Sequence, residues 1–120
     1  MVTVRSVRFG LARVGKRRFW VRDIWIFPDD TIRRRPFGRW LRQHHAIGQE
    51  DMAPLVAAGA TAVVIGTGVF SRARVKDEAR AWAQGAHLEL IVLPSRQAAE
   101  KFNDLQAAGR KIGALLHLMC

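Results

Sequence analysis

The chain has 120 residues, 49% hydrophobic and 25% charged, with Gly 10, Pro 4 and a single cysteine. That length supports one core without disulfide staples, and the composition excludes collagen-like, low-complexity and disordered classes. The formal net charge of +10 is uneven: twelve Lys/Arg precede Ala46 against three acids (Asp23, Asp29, Asp30), and eight basic residues against seven acids follow.

Residues 7–14 and 19–27 read as strands joined by a turn at Gly15-Lys16. Val2, Val4, Val7, Phe9 and Leu11 alternate with polar or small residues, as in a strand. The Arg-rich beginning is therefore not read as a presequence helix, and no signal-peptide run is present. In the second strand Phe19, Val21, Asp23, Trp25 and Phe27 share one face, and Trp20, Arg22, Ile24 and Ile26 the other. Both faces are mainly apolar, which predicts a strand covered on both sides, with Trp20, Trp25 and Trp82 in the core. Pro28-Asp29-Asp30-Thr31 is a turn signal, after which Ile32 begins a return strand. Residues 33–49 form the least regular segment. Its Arg33, Arg34, Arg35, Arg39 and Arg42 surround Trp40 and are expected to form an exposed basic interaction surface, because Arg and aromatic side chains are enriched at binding hot spots.

The remainder alternates regularly. Glu50 and Asp51 open a helix through Met52, Leu55 and Val56 that Gly59 ends. Residues 61–65 are a β-branched run of the buried parallel type. Residues 52–71 carry no charge, but Pro54, Gly59, Gly66 and Gly68 interrupt them, so a helix followed by a strand is expected, with no membrane insertion. Asp77-Glu78 open a second helix that buries Ala79, Trp82 and Ala83 and stops at Gly85. Residues 88–93 form the next strand. Ser95 is placed as N-cap of a third helix with Ala98, Phe102 and Leu105 at helical spacing and Gly109 at its C-cap. Residues 112–119 close the chain as a strand. The pattern predicts one α/β domain over residues 1–120: a β-α-β-α-β C-terminal part with parallel neighbours, and an N-terminal antiparallel β element.

Gly66-Thr67-Gly68 ends a buried strand, where open α/β sheets tend to bind ligands. It lacks the third small residue of a dinucleotide fingerprint and the Gly-Lys-Ser/Thr of a nucleotide loop. Two readings stand: a tight turn that needs glycine, or a site for an anionic ligand served by Gly66, Thr67, Gly68, Asp23, Asn103 and His117. Asp23 within a strand must be paired if buried, and an arginine is the expected partner. Asn103 is expected to cap or to bridge to the glycine turn. No metal site is expected: His117 and Cys120, three apart on a strand, face oppositely, and adjacent His44 and His45 suit no common chelation geometry. Cys120 beside a terminal carboxylate is a poor nucleophile, Ser71 and Ser95 lie in no nucleophile elbow, and no catalytic residue or cofactor is assigned.

Asp23, Pro28-Asp29, His45, Ile65-Gly66-Thr67-Gly68, Phe102-Asn103, Gly109-Arg110 and His117-Leu118-Met119-Cys120 stand in an order that resembles the Mth-type domain family of unknown function. The resemblance spans nearly the whole chain. It implies a compact α/β domain with a mixed central sheet and, through a mitochondrial complex I assembly factor in the family, a non-catalytic assembly role. The basic tract at residues 33–42 departs from that pattern. The leading expectation is thus a cytoplasmic interaction or assembly domain that engages an acidic protein partner. The alternatives are a small enzyme or anion-binding protein at Gly66–Gly68, and nucleic-acid binding by the basic N-terminal part, for which no RNP, KH or helix-turn-helix signature is present.

Overall fold

The computed structural model describes the whole chain except His44 and the side chains of Arg39 and Gln43. It opens with three short strands, β1 (Val4–Arg8), β2 (Leu11–Val14) and β3 (Arg17–Trp20), paired as an antiparallel meander. A turn at Phe9-Gly10 divides the predicted first strand, and a register shift between Val4 and Ser6 lets Val4 and Val7 both face inward.

The predicted strand over 19–27 is also two elements. Val21 adopts φ 64°, a conformation unfavourable to a β-branched residue, and the chain turns there into β4 (Ile24–Ile26) of a different sheet. Trp20, expected in the core, consequently stands 60% exposed, while Trp25 is buried. Two apolar faces are real here, but they belong to two sheets.

β5 (Ile32–Arg34) returns from the turn at residues 28–31, where the hydroxyl and N–H of Thr31 hold the Asp29 carboxyl below its ordinary pKa. The segment expected to be irregular contains α1 (Phe37–Gln43) and a two-residue strand, β6 (Ala46–Ile47), parallel to β8 (Arg74–Val75). The expected helix at Glu50 is a 3₁₀ turn over Gln49–Asp51 followed by α2 (Ala53–Ala57). β7 (Ala62–Gly66), α3 (Asp77–Gly85), β9 (Glu89–Leu93), α4 (Ser95–Ala107) and β10 (Ile112–Leu116) complete the chain.

The mixed five-stranded sheet has the order β5-β4-β10-β7-β9. β10, β7 and β9 are mutually parallel, and β4 and β5 add antiparallel strands at one side. The connection through α3 steps outward from β7 to β9, and the connection through α4 returns past β7 to β10. Right-handed crossovers running in opposite directions put their helices on opposite faces. Accordingly, Ala98, Ala99 and Phe102 of α4 pack on Val64, Ala114 and Leu116 together with the inner face of the meander. Leu55, Met52, Ala79 and Ala83 cover Val63, Ile65, Leu115 and Trp25 from the other side. Gly113 of β10 permits this close cover, since a Cβ there would lie 3.0 Å from Leu55 Cδ2. No helix among the described residues is long and apolar enough to cross a membrane; the uncharged stretch at 52–71 divides between α2 and β7.

Candidate functional site

The C-terminal ends of β7, β9 and β10 gather polar groups, as expected of a parallel sheet. At the end of β10, His117 is wholly buried, and its Nδ1 lies 2.7 Å from Asp23 Oδ1. Arg35 donates from Nη1 to Asp23 Oδ2 at 3.1 Å. Its Nε and Nη2 grip the two oxygens of Asp51 at 3.1 and 3.0 Å, and Nη2 also donates to the Ala46 carbonyl at 2.9 Å. Asp51 in turn accepts from the Gly48 N–H at 2.8 Å, and its carbonyl accepts from Trp25 Nε1 at 2.7 Å. All four charged or titratable side chains have 0% exposure. The ring of exposed His45 stands edge-on to that of His117, with centroids 5.4 Å apart.

Asp23 is therefore paired with an arginine, and the partner is Arg35 rather than adjacent Arg22. Arg35 must be removed from the predicted basic surface. Arg33 and Arg34 lie on opposite faces of the edge strand β5 and stay exposed, whereas Arg35, just past the strand, is buried against two carboxylates. Arg42 is exposed and Trp40 half-buried; the side chain of Arg39, and His44, lie outside the described residues. Asp51 is visible in the sequence only as a dipole-matching acid, whereas its side chain folds back on Gly48 and Arg35.

The glycine turn is closed by the protein itself. The N–H groups of Thr67, Gly68 and Val69 donate to Leu93 O, Ser95 Oγ and Met119 O at 2.9, 2.8 and 2.9 Å, and so are not presented to an anion. The residues after β10 lie directly over the turn, with Arg72 N donating to Cys120 O and Gly10 N to Leu118 O. Ser95, expected as an N-cap, is instead the first helical residue, after Pro94. Its hydroxyl accepts from Gly68 and donates to the His117 carbonyl at 2.6 Å, linking the ends of all three parallel strands. Ser95→Ala leaves the buried Gly68 N–H without its acceptor and is expected to lower unfolding free energy by about 1–3 kcal/mol in urea titrations.

Asn103 does not reach the glycine turn. Its amide clamps Val4, accepting from the backbone N–H and donating to the carbonyl, both at 2.9 Å, and so docks α4 on β1. His117, Asp23 and Gly68 thus come together, while Asn103 serves the contact between α4 and β1. Among the described residues no group of three or more His, Cys, Asp or Glu is arranged to hold a metal ion. A cleft of about 560 Å³ does open beside the turn, lined by Thr67, Ser71, Arg74 and Arg80 together with the carboxylate of Asp77.

A mixed parallel sheet with one antiparallel flank, a three-stranded meander on its α4 face and a buried Asp-Arg-Asp-His cluster at the strand ends define a compact α/β domain class. Residues 4–117 match the family described as protein of unknown function (DUF498/DUF598), and the chain belongs to that family. Similar solved structures include the conserved hypothetical protein PH1505 of Pyrococcus horikoshii, with TM-score 0.81 and 24% identity over 98% of this chain and 99% of that one. Another is MT938, with TM-score 0.83 and 22% identity over the full length of both chains. A third is a Bordetella pertussis protein described as a Mth938-like domain, with TM-score 0.67 and 16% identity over 97% of this chain and 85% of that one. These likenesses establish the Mth-type fold. No functionally curated protein matches the chain.

Proposed function

We propose that the protein is a non-catalytic, cytoplasmic interaction domain that docks an acidic face of a protein partner, in keeping with the assembly role that its family resemblance implies. The observation that carries this reading is the surface around α1. Trp20, Val21, Phe37 and Leu41 are 60%, 41%, 59% and 57% exposed, more apolar area than isolated surface residues supply. Trp20, Val21, Arg22, Arg34, Phe37 and Trp40 line a shallow hollow of about 280 Å³. Arg22 and Arg34 supply its positive charge, exposed Arg42 lies on the same helix as Phe37, and α1 and β5 contain no acid. The Arg22 guanidinium lies 5.8 Å over Phe37, with its Nε lacking an acceptor among the described residues. Aromatic anchors ringed by arginine suit a hydrophobic contact steered by an acidic rim.

The test is partner capture from nuclease-treated extract with the intact protein and with Leu41→Asp and Arg34→Glu. The expected result is a defined partner whose affinity falls roughly 30-fold in Leu41→Asp, as for a hot-spot residue. Arg34→Glu should mainly steepen dissociation with salt. Equal retention by both variants would remove α1 from the interface.

The cleft at Thr67, Ser71, Arg74 and Arg80 favours a second reading, an anionic small-molecule site at the C-terminal ends of β7 and β9. Phosphate and dicarboxylates should then raise the melting temperature of the intact protein and not of Arg80→Ala; no shift in either eliminates it.

A further inference from the structure

The meander presents a second surface that shares Trp20 with the α1 docking reading but is otherwise distinct from it. Its inner face carries Val4, Val7, Ala12, Val14 and Phe19 into the core, so the alternate residues must face outward. The register places them in two rows: Ser6 beside Arg13 beside Arg18, and Arg8 beside Leu11 beside Trp20. Arg5 joins them at the irregularity in β1. The three strands contain no acid, and Arg5, Arg8, Arg13 and Arg18 make no ion pair among the described residues. A shallow groove of about 370 Å³ crosses this face, and a second of about 550 Å³ runs along the edge between β1 and α4; the two share Arg5, Ser6 and Arg8. The nearer carboxylate, Glu100, borders only the second, on the α4 side.

Arg13 lies directly across from Arg18, and like charges opposite one another destabilise a sheet. Folding alone would be better served by an acid at either position. A bound polyanion removes that repulsion. Trp20, 60% exposed in the row of Arg8 and Leu11, adds an aromatic face on which a nucleobase can stack.

We infer that the outer face of the meander binds single-stranded nucleic acid, with Arg5, Arg8, Arg13 and Arg18 on phosphates and Trp20 stacked on a base. The surface is the open face of a sheet rather than a helix shaped for a major groove, which favours unpaired strands over duplex. Trp20 also borders the α1 hollow, so Arg13 and Arg18 discriminate this surface and Leu41 the other.

The experiment is fluorescence anisotropy of a labelled oligo-dT of about 15 nucleotides with the full chain, a length that covers one binding platform. Four phosphate contacts on a single strand predict affinity about 50-fold weaker at about 200 mM than at about 50 mM salt. Arg13→Glu should weaken oligo-dT binding at least tenfold while raising the urea midpoint, because it converts a repulsive cross-strand pair into an attractive one. Trp20→Ala should weaken oligo-dT about tenfold but leave heparin binding unchanged, and Leu41→Asp should alter neither. Absence of binding at the lower salt, unchanged affinity in Arg13→Glu, or equal competition by polyglutamate would overturn the inference. The last of these results would assign the face to acidic protein.

Discussion

Arg35→Leu is expected to lower the unfolding free energy by about 3–5 kcal/mol, measured by urea denaturation near neutral pH. Arg35 bridges Asp23 and Asp51, and all three are sealed from solvent. Its removal deprives two interior carboxylates of their shared guanidinium, so their desolvation is no longer offset by its charge-assisted hydrogen bonds. A domain of this size has about 5–15 kcal/mol in total, so the variant should be partly unfolded at physiological temperature. Arg35→Lys keeps the charge but not the planar fork that spans Asp23, Asp51 and the Ala46 carbonyl. It should fall between the two. A loss under about 1 kcal/mol for Arg35→Leu would show that the cluster is not a determinant of stability.

Gly68→Ala should produce the next largest effect, about 3 kcal/mol or more, seen as a lowered melting temperature and urea midpoint. Gly68 has φ +106°, and a Cβ on it would lie 2.2 Å from the Cys120 carbonyl carbon and 2.9 Å from His117 Cδ2. Backbone strain and overlap therefore act together, and neither obstacle is a flexible side-chain tip. Deleting Cys120 in the Gly68→Ala background should recover part of the loss by removing the backbone overlap, leaving the torsional strain. Gly59→Ala, also at positive φ but with nothing within 4 Å of its Cβ, should show torsional strain alone and so a smaller loss. Equal losses at the two positions would eliminate close packing as the reason for glycine at 68.

The parallel half of the fold is legible in the sequence because its signals are local and redundant. β7 is a buried β-branched run, α3 begins at Asp77 and ends at Gly85 as expected, and Gly109 takes φ +81° just beyond α4. The N-terminal half is harder to read for a physical reason. Residues 19–27 are apolar on both faces, which describes one doubly covered strand or two strands of different sheets equally well. Only the left-handed backbone at Val21, a residue type with no propensity for it, decides between them. The irregular tract likewise conceals α1, which has no acid in its first turn and is only seven residues long, so that Phe37, Trp40 and Leu41 show barely one helical repeat.

The site is partly legible. Asp23 within a strand demands a cation, but seven arginines stand from Arg17 to Arg39, and nothing in their spacing selects Arg35. Asp51 resembles an ordinary helix-start acid. Ser95 stands where an N-cap belongs, and its actual partners, Gly68 and His117, come from elements remote in sequence. Hydrogen bonds formed across 22 to 94 positions leave no periodicity to read.

The position of β10 has a consequence for how the protein is made. This strand is central, flanked by β4 on one side and β7 on the other. Asp23 and His117 are 94 positions apart, so on the ribosome β4 emerges long before the strand that covers it. Until then Ile24, Ile26 and the acid of Asp23 have no completed interior to enter. The nascent chain instead displays a basic meander beside an unpaired sheet edge, the kind of intermediate that invites chaperone capture or misassociation. Emergence of β10, rather than synthesis of the first half, should therefore time the acquisition of protease resistance, and any delay in delivering it should favour aggregation over productive closure.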